Sequence, residues 1–237
     1  MKYKLTDETK EFFGKVMHRI VCVTAFASVA VGDTGGWVES ENNLSQEGNA
    51  WVSGNAKVYG NAEVYGNAKV YGNAEVYGNA EVSGNADVSG NANVSGDAKV
   101  SGNAWVYGNA EVSGDAKVYG NAEVYGNAEV SGNAEVYGNA EVYGNAEVSG
   151  NAKVYGDADV SGDAKVSKSS DYAVYKNTWS SMRYFTWTRS NDKWRVGCFY
   201  GTGEKLIEKA YKDSKLSGDC YKAVVEMRNK LTELESA

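Results

Sequence analysis

The chain has 237 residues and a formal net charge of −7, with 28 Gly, 17 Tyr, 6 Trp and no Pro. Abundant glycine without proline excludes a collagen-like or proline-rich chain, and the aromatic content argues against general disorder. The acidic total also makes binding to long nucleic acid unfavourable. Cys22, Cys198 and Cys220 are odd in number and lack a C-x-x-C spacing, which indicates reduced thiols in a cytoplasmic protein.

Residues 1–47 precede a long repeat and are predicted to cap its first end. Within them, "KVMHRIVCV" alternates loosely like strands, and "GDTGGWVESENNLSQEGNAWV" reads as a degenerate first coil. The apolar run from Ile20 to Gly32 is too short to cross a bilayer as a helix. Acidic residues ahead of this run do not suit a signal peptide, so we expect neither export nor membrane association.

From Gly48 to Ser167 the chain consists of 20 consecutive hexads of the form Gly-(Asn/Asp)-Ala-x-Val-(Ser/Tyr), without an insertion. Ala and Val alternate with outward residues, as a short half-buried strand requires. Gly followed by Asn or Asp tolerates left-handed backbone geometry and is expected to turn a corner. Three hexads per turn then predict a triangular β-helix of six to seven coils, about 30 Å long.

The repeat is similar to the left-handed hexapeptide-repeat β-helix superfamily, because "VYGNAEV" places a small residue four positions after an aliphatic one. That resemblance implies a left-handed coil and a homotrimer. Most enzymes of the superfamily transfer acyl groups and use a histidine as general base at a subunit boundary. His18 is the single histidine of this chain, and it lies outside the repeat.

Stacking of every third hexad arranges the outward residues of the repeat in three columns. One column contains Trp51 and Trp105, which mark either a contact surface or positions that the terminal segments cover. The tyrosines beside this column, Tyr107, Tyr125 and Tyr143, fit either stacking between coils or a contact with a subunit or partner.

A second column stacks the like charges of Glu111, Glu129 and Glu147, which is locally unfavourable. Solvated side chains and screening explain this ladder most simply. The alternative is a cation site or a mimic of a nucleic-acid phosphate track. The repeat as a whole has 15 acidic and six basic residues, a net charge of −9, and would repel nucleic acid.

Residues 168–237 have a different composition and a net charge of +4, from 13 basic and nine acidic residues. The run "MRYFTWTRSNDKWRVGCFYG" predicts a β-hairpin with Asn191-Asp192 at its turn. The register of such a turn pairs apolar residues with one another: Phe185 with Cys198, and Trp187 with Val196.

The other hairpin face groups basic and aromatic side chains, which suit a base or a phosphate through stacking and charge-assisted hydrogen bonds. We therefore predict a site for a small anionic ligand at Arg183, Tyr184, Arg189, Lys193, Arg195 and Phe199. The alternative is that this face packs on the last coil or on a neighbouring subunit.

The stretch "GTGEKLIEKAYKD" predicts a short helix, and Asp219 is expected to cap a second one. Apolar residues of the second helix follow a 4-3-4-3 spacing: Cys220, Val224, Met227, Leu231 and Leu234. Core packing explains this stripe most simply, with contact between subunits through Val224, Met227 and Leu231 as the alternative. The chain is thus predicted to be mainly β with a small ββαα head.

The chemistry-bearing residues do not form a known catalytic or metal-binding set. One histidine cannot build a zinc site of three histidines, and the repeated glycines precede no Gly-Lys-Ser/Thr phosphate loop. Acid–base catalysis by two carboxyl groups needs surroundings that give them different pKa values, and the exposed carboxylates of these ladders lack such surroundings. We expect no cofactor, no metal and no enzymatic activity.

The stretch "RVGCFYGT" resembles the "GCF-x-GT" stretch of a C-terminal domain that follows such repeats in phage and prophage proteins. This resemblance implies an accessory protein in the cytoplasm of an infected bacterium. There it would sequester a ligand or partner, such as a nucleotide signal or a host-defence protein. Two other functions stay open: a structural, assembly or virion protein, and a hexapeptide acyltransferase that uses His18.

Overall fold

The computed structural model describes residues 1–235 as a three-sided β-solenoid with a head of four strands and two helices. This confirms the predicted mainly β architecture, in which the repeat is a rod and the C-terminal part an α/β head. The hand of the coil stays a prediction of the superfamily resemblance.

Three strands precede the repeat: β1 (Tyr3–Phe12), β2 (Lys15–Cys22) and β3 (Thr34–Val38). A 3₁₀ turn at Glu41–Asn43 follows them. Each hexad then forms one two-residue strand, which gives β4 (Trp51–Val52), β5 (Lys57–Val58), β6 (Glu63–Val64), β7 (Lys69–Val70), β8 (Glu75–Val76), β9 (Glu81–Val82), β10 (Asp87–Val88), β11 (Asn93–Val94), β12 (Lys99–Val100), β13 (Trp105–Val106), β14 (Glu111–Val112), β15 (Lys117–Val118), β16 (Glu123–Val124), β17 (Glu129–Val130), β18 (Glu135–Val136), β19 (Glu141–Val142), β20 (Glu147–Val148), β21 (Lys153–Val154), β22 (Asp159–Val160) and β23 (Lys165–Val166).

Strands of every third hexad are parallel neighbours, as the stacking prediction requires, and Val88 lies beside Val106. The first face runs from β4 to β22 and the third from β6 to β21. The second face continues through β5 into β3, β2 and β1, which makes a sheet of ten strands. The Ala and Val of every hexad are buried, so small side chains fill a thin core along the whole rod.

Each corner of the rod needs glycine for two reasons. Gly102, for example, has φ of +71°. A Cβ at this position would lie 2.8 Å from the nitrogen and 2.9 Å from the oxygen of Gly120 in the next coil. The adjacent asparagines add a ladder of side-chain amides, in which Asn103 Nδ2 donates to Asn121 Oδ1 at 3.0 Å. Close backbone stacking at the corners therefore explains the invariant glycine of the hexad.

The hydrogen bonds between coils give the rod a direction. Three N–H groups of each hexad donate to the next coil, as in Asn121 to Gly138 O (2.8 Å), Glu123 to Ala140 O (2.9 Å) and Tyr125 to Val142 O (3.0 Å). The corresponding C=O groups of the first coil and N–H groups of the last coil have no neighbouring coil. Buried groups of this kind need other partners.

Donors of the N-terminal segment bind the free C=O groups of the first coil. The backbone of β3 and the residue after it supply two of them, from Trp37 N to Ala56 O (2.9 Å) and from Glu39 N to Val58 O (3.1 Å). The Ser45 N–H donates to Val64 O at 2.9 Å. Side chains supply further donors: Lys2 Nζ to Ala50 O (2.8 Å), Arg19 Nη1 to Gly54 O (2.9 Å), and Asn43 Nδ2 to Gly60 O (3.0 Å) and Ala62 O (2.9 Å). Burial lowers the pKa of Lys2 to about 8.

The head consists of β24 (Tyr172–Lys176), β25 (Tyr184–Thr188), β26 (Lys193–Val196), β27 (Phe199–Gly201), α1 (Gly203–Asp213) and α2 (Lys215–Glu235). A 3₁₀ turn at Ser169–Asp171 connects it to the rod. The four strands form an antiparallel sheet in chain order. One sheet face packs under the helices around Phe185, Trp187, Trp194, Leu206 and Val225.

The predicted hairpin exists, but its predicted register is wrong. Trp187 lies opposite Trp194 rather than Val196, because the turn is a four-residue loop from Arg189 to Asp192. Phe185 does not face Cys198, which is exposed beyond the end of β26. The apolar face nevertheless forms, since a shift of two residues preserves the side to which each side chain points.

The second helix begins at Lys215, so Asp219 does not cap it. Asp219 lies inside the first turns of α2, where its carboxylate accepts hydrogen bonds from Lys215 Nζ (2.6 Å) and Tyr211 Oη (2.8 Å). The start of α1 has the capping geometry instead, since the Thr202 hydroxyl accepts from the Lys205 N–H at 3.5 Å.

Candidate binding surfaces

The polar face of the head sheet covers the end of the rod. This face, the 3₁₀ turn before it and the loop between β25 and β26 supply oxygen atoms to the N–H groups that the last coil leaves free. Five of these bonds run from Lys153 to Ser169 Oγ (3.1 Å), Tyr155 to Tyr172 Oη (3.2 Å), Asp159 to Thr186 Oγ1 (2.8 Å), Lys165 to Ser190 Oγ (2.7 Å) and Ser167 to Asp171 Oδ2 (2.9 Å). Thr186 belongs to the hairpin face predicted to bind a ligand, so this part of that face packs on the rod instead.

Arg195 lies at the centre of this junction rather than in an open site. Its Nε donates to Asp159 Oδ2 at 3.1 Å, and its guanidinium lies 5.5 Å from the ring centroid of Tyr143. Burial raises the pKa of Asp159, and the positive charge of Arg195 opposes that shift. For Arg195, the alternative prediction is confirmed: this residue packs on the last coil instead of lining an open ligand site.

The other five predicted ligand residues lie in five different places. Arg189 pairs with Glu235 at the end of α2, and Arg183 lies over Gly197. Phe199 pairs with Val196 and packs against the apolar core of the head, so its assignment to the polar face is wrong. Lys193 is half-buried on β26, and Tyr184 lines a cavity beside the last coil. The six residues do not form a single site.

The apolar stripe of α2 faces solvent. Met227, Leu231 and Leu234 are 44%, 39% and 62% exposed, whereas Val225 and Arg228 on the adjacent side of the helix are buried. The expectation that the stripe packs in the core is therefore wrong for these three residues. Val224 is half-buried and packs against the apolar core of the head, as core packing predicts. Contact with another subunit or a partner stays the open explanation for Met227 and Leu231.

The two tryptophans of the first column have different surroundings. Trp51 is buried, with the ring of Phe26 at 5.6 Å and that of Tyr3 at 6.4 Å, so the N-terminal segment covers it. Trp105 is 49% exposed and meets the edge of Tyr107 at 6.4 Å. Only the second of these positions is open to a partner.

Tyr107, Tyr125 and Tyr143 form one stack along the corner. Successive ring centroids lie 4.8 and 4.7 Å apart, with planes within 3° of parallel. The hydroxyl of Tyr107 donates to Glu123 Oε2 at 3.1 Å, and burial together with this bond raises its pKa to about 12. The middle ring, Tyr125, has a neighbour on both faces, which supports stacking between coils rather than a partner contact.

The acidic ladder of Glu111, Glu129 and Glu147 in the second column is followed by a lysine, Lys165, in the last coil. Lys165 Nζ donates to Glu147 Oε1 at 2.8 Å, while Glu111 and Glu129 are exposed. Among residues 1–235, no three His, Cys, Asp or Glu side chains lie close enough together to hold a metal ion. No helix in that range has both the length and the apolar character to cross a membrane.

His18 lies on β2, between Thr9 of β1 and Val38 of β3. It is half-buried within the N-terminal cap. The acyltransferase hypothesis requires a base beside a substrate cavity. A cavity of about 670 Å³ lies at the same end of the rod, beside Glu39 and Glu41, but His18 is not among the residues that line it.

No family model matches the chain. A protein of Escherichia coli (strain K12), described as the uncharacterized acetyltransferase YdcK, is 33% identical over 58 residues. The match covers 21% of this chain and 18% of that protein. Together with the stacked parallel strands, this similarity fits a hexapeptide-repeat β-helix.

Proposed function

We propose that this chain is a non-enzymatic binding protein, in which the repeat is a scaffold and the head provides the contact surfaces. The uniform rod supports this proposal, because 20 strands follow one another without a loop that could form a catalytic pocket. The head supports it as well, since its last helix presents apolar side chains to solvent.

The exposed stripe of α2 is the observation that carries the proposal. Leu216 at 62% extends the exposed residues Met227, Leu231 and Leu234 over nearly the full 21-residue helix. A contiguous apolar surface of this kind marks an interaction site, and a 4-3-4-3 spacing is that of a coiled-coil seam. Identical helices of other copies would cover it, so we propose a homo-oligomer joined through α2. The superfamily resemblance makes three copies the expected number.

Light scattering on matched variants tests this assembly. We expect the wild type to have about three times the chain mass of 25.4 kDa, and Met227→Lys and Leu231→Lys to be monomers with unchanged circular dichroism. Asn229→Lys adds the same charge away from the stripe and is expected to keep the wild-type mass. A monomeric wild type would refute the oligomer.

For the role in the cell, we propose the one that the phage resemblance implies. In the cytoplasm of an infected bacterium, the protein would sequester a nucleotide signal or a host-defence protein. Native mass spectrometry of protein purified from infected cells is expected to show a bound small molecule or host protein. Detection of the chain in purified virions would favour the structural or assembly role instead.

The similarity to a protein described as an acetyltransferase keeps one enzymatic function as a second candidate. It predicts that the chain binds acetyl-CoA and that His18→Ala abolishes acetyl transfer. Equilibrium dialysis with acetyl-CoA tests the first point directly. Absence of binding at millimolar concentration would remove this candidate.

A further inference from the structure

The head leaves one corner of the rod uncovered. At the end of the third face, a cavity of about 350 Å³ lies between the last coil and the head sheet. Its walls include Tyr155, Gly156, Asp157, Ser169, Tyr172 and Tyr184. Tyr184 is the one residue of the predicted ligand site that lies here.

This cavity occupies the place where a further coil would stack. A Cβ on Gly138 would lie 2.9 Å from the nitrogen of Gly156, whereas a Cβ on Gly156 would meet nothing within 4 Å. Coils are separated by about 4.8 Å, and the position that the backbone of a further coil would occupy is open at Gly156. A planar ring could occupy this position.

An aromatic platform forms one side of the space. Tyr119, Tyr137 and Tyr155 are stacked, with centroids 4.9 and 5.2 Å apart and planes within 11°. Tyr155 is the last ring of this stack, is 51% exposed and lines the cavity. A planar ring in the cavity would continue the stack at a separation that aromatic pairs favour.

Asp157 provides polar groups at the edge of the same space. One coil earlier, the Asn139 N–H donates to Gly156 O at 2.8 Å, but no coil follows to accept from the Asp157 N–H. The carboxylate of Asp157 accepts from Asn139 Nδ2 at 3.1 Å through Oδ1, and Oδ2 is a further acceptor. A ligand edge with one acceptor and one donor side by side would match this pair.

Nucleobases combine a planar ring with such an edge. We infer that the cavity binds the base of a nucleotide, with the ring on Tyr155 and the base edge on the N–H and carboxylate of Asp157. Lys176, whose ammonium lies 5.3 Å from the ring centroid of Tyr184, is the nearby cation for a phosphate. This inference specifies the ligand of the proposed function and is independent of the α2 contact.

Isothermal titration with AMP, GMP, CMP and UMP tests the site. We expect at least one of them to bind the wild type. Tyr155→Ala should weaken that binding about tenfold, because stacking on an aromatic side chain contributes this much per base. Gly156→Ala places a methyl group in the cavity and should weaken it too. Tyr71→Ala, which truncates a tyrosine 39% exposed at another corner, is the matched control.

The inference is wrong if no monophosphate gives heat at millimolar concentration, or if Tyr155→Ala and Tyr71→Ala bind equally. A ¹H–¹⁵N spectrum verifies that each variant is folded, and the Asp157 amide is expected to shift on titration. An Asp157 amide that does not move while ligand binds would also contradict the site. Met227→Lys should bind the nucleotide like the wild type. Failure of the α2 interface can therefore be distinguished from failure of the nucleotide site.

Discussion

Replacement of Gly102 by alanine tests how closely the coils approach at the corners. Gly102 and Gly156 have the same φ of +71°, so alanine introduces the same left-handed strain at both positions. They differ in what lies next to them in the direction of the head: Gly102 is followed by another coil and Gly156 is not. The new methyl group would lie 2.8 Å from the backbone nitrogen of Gly120 in the first variant and meet open space in the second.

The expected loss of stability follows from these two terms. Left-handed backbone geometry costs an alanine about 1–2 kcal/mol in either variant. Gly102→Ala also forces the coils apart against their hydrogen bonds, and overpacking of this kind costs about 1–3 kcal/mol more. By this reasoning Gly102→Ala should be less stable than Gly156→Ala by about 1–3 kcal/mol.

Urea unfolding followed by far-ultraviolet circular dichroism measures the difference. Hydrogen exchange adds a local reading, since backbone amides of the coils on either side of Gly102 should exchange faster in that variant alone. Equal unfolding free energies for Gly102→Ala and Gly156→Ala, within about 0.5 kcal/mol, would refute the argument from close stacking.

Two further predictions concern hydrogen bonds at the corners and at the junction. Glu123→Gln should lower the pKa of Tyr107 from about 12, which a tyrosine titration by ultraviolet absorbance detects; an unchanged curve would contradict the bond. Because the unfolded pKa is about 10, the stabilisation from Tyr107 is complete below about pH 10 and is lost as the pH rises to about 12. Thr186→Val removes the acceptor of the Asp159 N–H and should destabilise the protein by about 1–3 kcal/mol. Thermal unfolding checks this against the exposed control Thr178→Val, and equal melting temperatures for the two variants would contradict it.

The rod was predictable in detail because one rule applies 20 times. Every hexad contains a buried Ala and Val, so a register of three hexads satisfies all strands at once. The burial of Trp51 was not predictable. Phe26 and Tyr3 cover it, and both belong to the N-terminal segment, which has no repeat pattern. Trp105 has the same position in the hexad and stays exposed.

The hairpin register depended on side chains that bond back to the strand. Trp187 Nε1 donates to Asp192 Oδ1 at 2.8 Å, and the Thr188 hydroxyl bonds to Asn191 Oδ1 at 2.6 Å. These bonds stabilise a four-residue loop, with Asp192 at φ of +47°, in place of the expected two-residue turn. Local composition favours a turn at Asn191-Asp192 but does not show this competition.

The candidate sites were the least predictable part of the molecule. The spacing of α2 shows a wide apolar arc, but it does not show that Val225 packs inward while Met227 faces solvent. The cavity at Gly156 depends on where the head settles on the last coil. Its one sequence signal is that Tyr155 ends a column of tyrosines as the repeat runs out.

The bonds at both ends involve only the coil next to each end. Thr186 and Ser190 bind the first and second faces of the last coil, and Asn43 binds the third face of the first coil. Insertion of one hexad in the middle of the repeat would leave both of these coils unchanged, so every end bond would persist, but the head would turn by a third of a revolution relative to the N-terminal cap. Insertion of a complete coil of three hexads would lengthen the rod and keep the relative orientation of its ends. The number of hexads therefore sets both the distance and the rotation between the cap and the head.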